Sequence, residues 1–169
     1  MANDLKTIIT DPVVFLDTLF SRIEETGMNV DKFFLDHICY RVGTLAEYDS
    51  RKLELKEFGT MLIESMVNGR MIATYKLHSP IVYKNRLIDV VELPSPKDGA
   101  SYESGLEHAE FVTEMPLKDL VAQYPNLQFE TAGIDKKINA DITLRLGDLC
   151  IRFHNQTLED VIELEKKNP

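Results

Sequence analysis

The chain has no tryptophan, only two cysteines among 169 residues, and aromatic residues at 8%. Two thiols cannot build a disulfide framework, so a small stapled scaffold is excluded and Cys39 and Cys150 are expected as free thiols. No apolar run approaches the ~20 residues that a spanning helix needs, and none near the start has signal-peptide length. No basic block interrupts a formal net charge of −9 and a pI near 4.9. Such a field repels nucleic acid and anionic lipid, so the expected partner is a small-molecule substrate, with no nucleic acid and no membrane. A cytoplasmic location is the matching expectation.

What is present suffices for an ordinary folded domain. Hydrophobic residues at 44% and charged residues at 28% are near globular averages, and a chain of this length buries roughly 70% of its unfolded surface. Two stretches are copies of one another: Leu35-Asp36-His37-Ile38-Cys39-Tyr40-Arg41-Val42 and Leu106-Glu107-His108-Ala109-Glu110-Phe111-Val112. Each reads leucine, acid, histidine and then alternates with a period of two, as a strand does. His37, Cys39 and Arg41 share one face of the first copy; His108 and Glu110 share one face of the second.

Around these copies the chain reads as two βαβββ modules at 35–93 and 106–155. A helical region at 1–34 precedes them, a Pro- and Gly-rich linker at 94–105 separates them, and a helix at 156–169 follows. Thr10-Asp11-Pro12 opens an N-terminal helix. Thr44 and Glu47 form a capping box for a helix that runs to Phe58 and stops at Gly59. Asn68-Gly69 predicts a type I′ hairpin turn, and Gly147-Asp148 a type II′ turn. His78-Ser79-Pro80 is expected to break the strand after the first turn. The fold class is therefore α+β: two βαβββ modules forming a curled mixed sheet around a cup, with added terminal helices.

In such a sheet, residues at matched positions of the two modules converge. His37 and His108 start equivalent strands; Glu92 and His154 finish strands that can be laid on one another. Two ligands from each half suit a borderline or hard divalent ion such as iron, manganese, nickel, cobalt or zinc, and no thiolate stands at these four positions. Glu92 lies at the parity of Ile88 and Val90, so its carboxylate faces inward and needs a cation or a strong donor. Arg41 and Arg152 share the histidine faces and either pair with Glu110 and Glu92 or offer a fork to a substrate carboxylate or phosphate. Arg70 and His78 flank the first hairpin, where Arg70 could close over the cup and His78 could act as an acid/base.

The segments Asp36-His37-Ile38, Asn68-Gly69-Arg70, Lys76-Leu77-His78, Val91-Glu92-Leu93-Pro94, Glu107-His108 and Phe153-His154 resemble the motif set of the YecM family. The paired modules resemble the wider vicinal oxygen chelate superfamily of glyoxalase I, extradiol dioxygenases and bleomycin-resistance proteins. That resemblance spans nearly the whole chain and implies a divalent-metal enzyme with ligands at His37, Glu92, His108 and His154. The last position is commonly Glu in the superfamily, so His154 is expected either as a ligand or as an acid/base beside a three-ligand site. The resemblance does not choose the reaction; the first expectation is an isomerase or lyase reaction with the metal as Lewis acid, Glu92, His154 or His78 moving the proton. The alternatives are an Fe(II)-dependent dioxygenase built on His37, His108 and Glu92, and a non-catalytic metal or small-ligand binder.

Overall fold

The computed structural model describes residues 4–169. In chain order the elements are α1 (Leu5–Ile9), α2 (Pro12–Glu25), β1 (Phe34–Arg41), α3 (Leu45–Leu55), β2 (Gly59–Val67), β3 (Arg70–Tyr83) and β4 (Arg86–Pro94). There follow β5 (Gly105–Val112), α4 (Leu117–Gln123), β6 (Phe129–Glu130), β7 (Ile142–Leu146), β8 (Leu149–His154) and α5 (Leu158–Lys167). The fold is α+β with a mixed sheet arrangement, as the sequence predicts. Among the described residues no helix is long and apolar enough to cross a membrane. The chain divides into two compact units: the described part of Met1–Phe15 with His37–Glu107, and Leu16–Asp36 with His108–Pro169.

In the first unit the strand order is β2-β3-β4-β1. β1 and β4 are parallel, which the intervening helix and hairpin make possible; β2 with β3 and β3 with β4 are antiparallel. Helix α3 starts where Thr44 Oγ1 accepts from the Glu47 amide at 3.1 Å. It ends at Leu55, short of Phe58. Lys56, Glu57 and Phe58 instead donate three residues back, to Leu53, Glu54 and Leu55, and tighten the last turn. Gly59 is required by packing: a Cβ there would lie 2.5 Å from the Lys76 carbonyl oxygen. Asn68 (φ 50°) and Gly69 (φ 82°) make the predicted hairpin turn between paired Val67 and Arg70.

A second expectation fails in this unit. His78-Ser79-Pro80 does not end the strand; β3 continues to Tyr83 through a bulge. Lys76 pairs with Val90 and Ile81 with Ile88, five steps along β3 against two along β4. The extra residues leave the ladder, and Pro80, which has no N–H to give, sits among them.

In the second unit the order is β5-β8-β7-β6, with β5 and β8 parallel and the other pairs antiparallel. Its core is phenylalanine. Phe111 stacks on Phe153 with centroids 5.7 Å apart, while Phe33 and Phe129 meet Phe153 edge-on and Phe20 meets Phe111 in the same way. Leu16, Leu19 and Ile23, at helical spacing on α2, are fully buried. Arg22 of α2 donates to the Leu146 carbonyl at 2.7 Å and pairs with Asp148, which fastens the helix to the β7–β8 turn. At that turn Gly147 carries φ 72°. Helix α5 is capped by Thr157 Oγ1 and by the buried carboxylate of Asp36, which accepts from the Leu158 amide at 3.0 Å.

Candidate functional site

Strand parity alone turns His37 and Glu92 to one face of the first unit. His37 is 2% exposed, and its Nε2 lies 3.5 Å from Glu92 Oε2. In the parallel ladder His37 is opposite Val90 and Cys39 opposite Glu92, so the imidazole reaches a carboxylate one pleat along. The buried Cys39 thiol lies between them in sequence spacing and is free.

The second unit assembles a denser group. His108, Glu110 and His154 are all buried. His108 Nε2 is 3.0 Å from Glu110 Oε1, and His154 Nε2 is 2.5 Å from Glu110 Oε2, so one carboxylate lies between two imidazoles. His154 Nδ1 is 3.0 Å from the main-chain carbonyl oxygen of Ala140. A carbonyl only accepts, so Nδ1 carries a proton, and the close approach of Nε2 to Glu110 Oε2 needs a further proton between those two atoms. Arg152 Nη1 lies 3.7 Å from Glu110 Oε1 with 40% of its side chain exposed.

The ladder revises the match between modules. His108 is opposite Cys150, Glu110 opposite Arg152 and Val112 opposite His154. Aligned on their first histidines, Cys39 corresponds to Glu110 and Glu92 to Arg152; His154 lies one pleat further out. The sequence reading pairs Glu92 with His154 because both end their strands. The ladder pairs Glu92 with an arginine instead.

The remaining candidates lie elsewhere. Arg41 packs its guanidinium over the Tyr102 ring at 4.4 Å, and Arg70 Nη1 reaches the Ser95 carbonyl at 3.5 Å. Both arginines therefore hold the 95–104 segment, beside a Gly43 amide that donates to Ser104 Oγ at 2.9 Å. His78 is exposed on the β3 bulge, with Nε2 3.4 Å from Thr60 Oγ1. It lines a cavity of about 790 Å³ with Leu5, Pro12, Phe58, Leu77 and Pro80, and neither His37 nor Glu92 is part of that lining. Sequence reasoning missed two features. Glu110 is read from the sequence as a partner for arginine, which Arg152 is, but not as the carboxylate between two imidazoles, although its i+2 spacing from His108 puts both on one face; and no signal in the sequence points to the Ala140 carbonyl.

Nitrogen and oxygen donors of this kind suit a divalent ion. Glu110 is 5% exposed, a burial that a carboxylate tolerates only beside cations or strong donors. A metal-binding imidazole also commonly gives its second N–H to a backbone carbonyl, as His154 does. The donor chemistry therefore fits the group that the sequence implies.

The chain is 26% identical to Protein YecM of Escherichia coli (strain K12) over 179 residues, which cover 97% of this chain and 95% of that one. Among solved structures it is similar to Protein EC4020, a structural genomics target, with 23% identity, a TM-score of 0.78 and 98% of each chain covered. It also resembles methylmalonyl-CoA epimerase of Streptomyces coelicolor, at 12% identity and a TM-score of 0.51, covering 72% of this chain and 95% of that one. The shared architecture is the vicinal oxygen chelate fold. The family described as YecM protein matches residues 4–165, which include both histidine strands and His154, and the chain belongs to that family.

Proposed function

We propose that this protein is a divalent-metal-binding enzyme that performs an isomerase- or lyase-type reaction on a small substrate offering two neighbouring oxygen atoms. The observation that carries the reading is Glu110, a buried carboxylate flanked by two imidazoles and an arginine. His37, Glu92, His108 and His154 are the proposed metal-holding residues, with Glu110 joining them. A divalent ion held by such donors supplies Lewis acidity to a substrate oxygen. Glu92, with 15% of its side chain exposed, is the carboxylate with access to solvent and the proposed carrier of the substrate proton. Arg152 turns its exposed edge toward an anionic substrate group while its Nη1 stays beside Glu110. Arg41, Arg70 and His78 are left outside the proposed reaction.

The test is deuterium exchange. Metal-loaded protein is incubated in D₂O with a panel of 2-oxo and 2-hydroxy acids and followed by proton NMR. Exchange at a carbon next to a carbonyl, lost in Glu92→Gln, is the expected result. Two imidazoles and one carboxylate in a single unit also form the donor set of ferrous oxygenases, which keeps a second reading in play. Ferrous-dependent O₂ uptake on catechol-type substrates, without exchange, would favour it. Metal binding with neither activity would leave a ligand-binding protein.

A further inference from the structure

The segment between β6 and β7 has no repeat counterpart in the first unit, and it ends on His154. The last β7–β8 ladder pair is Ile142 with Phe153, so Ala140 and His154 lie just past the end of the ladder, where the strands no longer hold each other. There His154 Nδ1 meets the Ala140 carbonyl oxygen at 3.0 Å. We propose that the 131–141 loop is a positioning element for His154, holding a proton on Nδ1 and the ring turned so that Nε2 is the nitrogen presented to Glu110 and to any ligand taken up there.

The loop is built to keep that carbonyl in place. The Ile134 amide donates to the Thr131 carbonyl at 3.1 Å, and the amides of Lys136 and Asp141 both donate to Gly133, at 3.2 Å each. Lys136 Nζ pairs with Asp141 Oδ1 at 2.7 Å. Gly133 is buried, and a Cβ on it would lie 2.0 Å from Asp141 Oδ1 and 2.7 Å from its Cγ. Only glycine lets the Asp141 carboxylate settle there, and Asp141 adjoins the peptide whose carbonyl orients His154. The chain of contacts runs from Gly133 to Asp141, to Ala140, to the imidazole. The same division of labour, one ring nitrogen fixed by backbone and the other left for chemistry, is how a protein sets the tautomer of a working histidine.

The functional weight of this device rests on the proposed function, in which His154 belongs to the site, but its test does not. Protein labelled with ¹⁵N-histidine is examined metal-free by long-range ¹H–¹⁵N correlation, the His154 signals being assigned by their loss in His154→Gln. The expected pattern has Nδ1 protonated in the folded, metal-free protein. A neutral His154 protonated on Nε2 alone would overturn the proposal without touching metal binding. In Gly133→Ala the methyl must displace the Asp141 carboxylate, and the single pattern is expected to give way to mixed tautomers, with exposed His78 unchanged as internal control. An unaltered His154 pattern in folded Gly133→Ala would show that something other than the loop positions the ring. Should Gly133→Ala fail to fold, the wild-type tautomer decides. Absence of metal uptake alongside the expected tautomer would count against the proposed function alone.

Discussion

The two units use the same strand arrangement for different chemistry. In the first, an imidazole and a partly exposed carboxylate stand as a pair, His37 with Glu92, and the intervening inward position is Cys39. In the second, that intervening position is Glu110, and His154 reaches it from one pleat further along β8. The cores differ in the same sense. The first unit buries tyrosines, whose hydroxyls need partners: Tyr75 donates to the Lys52 carbonyl at 2.7 Å, and Tyr48 to Glu64 at 3.0 Å. The second buries phenylalanines stacked around Phe153. A duplicated scaffold thus keeps its backbone ladder while the polar load sits at the site in one copy and in the packing in the other.

That contrast can be broken at its strongest point first. Phe153→Ala removes the ring on which three others converge and is expected to cost about 3–5 kcal/mol in urea unfolding. Glu110→Ala comes next. It leaves two buried imidazoles without their acceptor, for about 3 kcal/mol, whereas Glu92→Ala, at a more exposed pair, should cost about 1 kcal/mol. Equal losses at the two carboxylates would erase the difference between the units.

Tyr75→Phe strands the Lys52 carbonyl and should cost about 1–3 kcal/mol. Burial, with Glu64 adding to it, pushes the Tyr75 hydroxyl up to about 12 from an ordinary 10.0. A group whose folded value is raised contributes stability that is complete below its unfolded value and lost as pH rises through the folded one. The wild-type excess over Tyr75→Phe should therefore shrink between about pH 10 and about 12 in alkaline unfolding.

The smallest effect is at Glu64. The Lys52 ammonium, 2.9 Å away, is the main cause that holds the Glu64 carboxyl below its ordinary 4.5, and burial opposes it. A lowered carboxyl stabilises above its unfolded value and loses that contribution as pH falls through the folded one. Glu64→Gln should cost at most about 1 kcal/mol at neutral pH and nothing in acid. A cost that grew on acidification would contradict the assignment.

Much of this was legible in the sequence because it rests on local rules. Period-two alternation put His37, His108 and Glu110 on their strands, Asn68-Gly69 fixed one hairpin, and Thr44 marked a helix start. What was not legible depends on pairing between strands distant in the chain. Which residue lies opposite Glu110 is decided by the β5–β8 register, and strand ends, the only guide in the sequence, mismatched Glu92 with His154 by one pleat. The β3 bulge was missed for a related reason: Pro80 reads as a breaker, and only the β4 partner shows that the strand resumes. The Ala140 carbonyl carries no side-chain signature at all.

The most direct test of the central claim is the metal content of protein purified anaerobically, measured by plasma mass spectrometry for the wild type and for His108→Ala and Glu92→Ala. The account predicts stoichiometric divalent metal in the wild type, or its uptake on reconstitution, and loss of that metal in both variants while each remains folded. A folded wild type that neither carries nor takes up a divalent ion would contradict it.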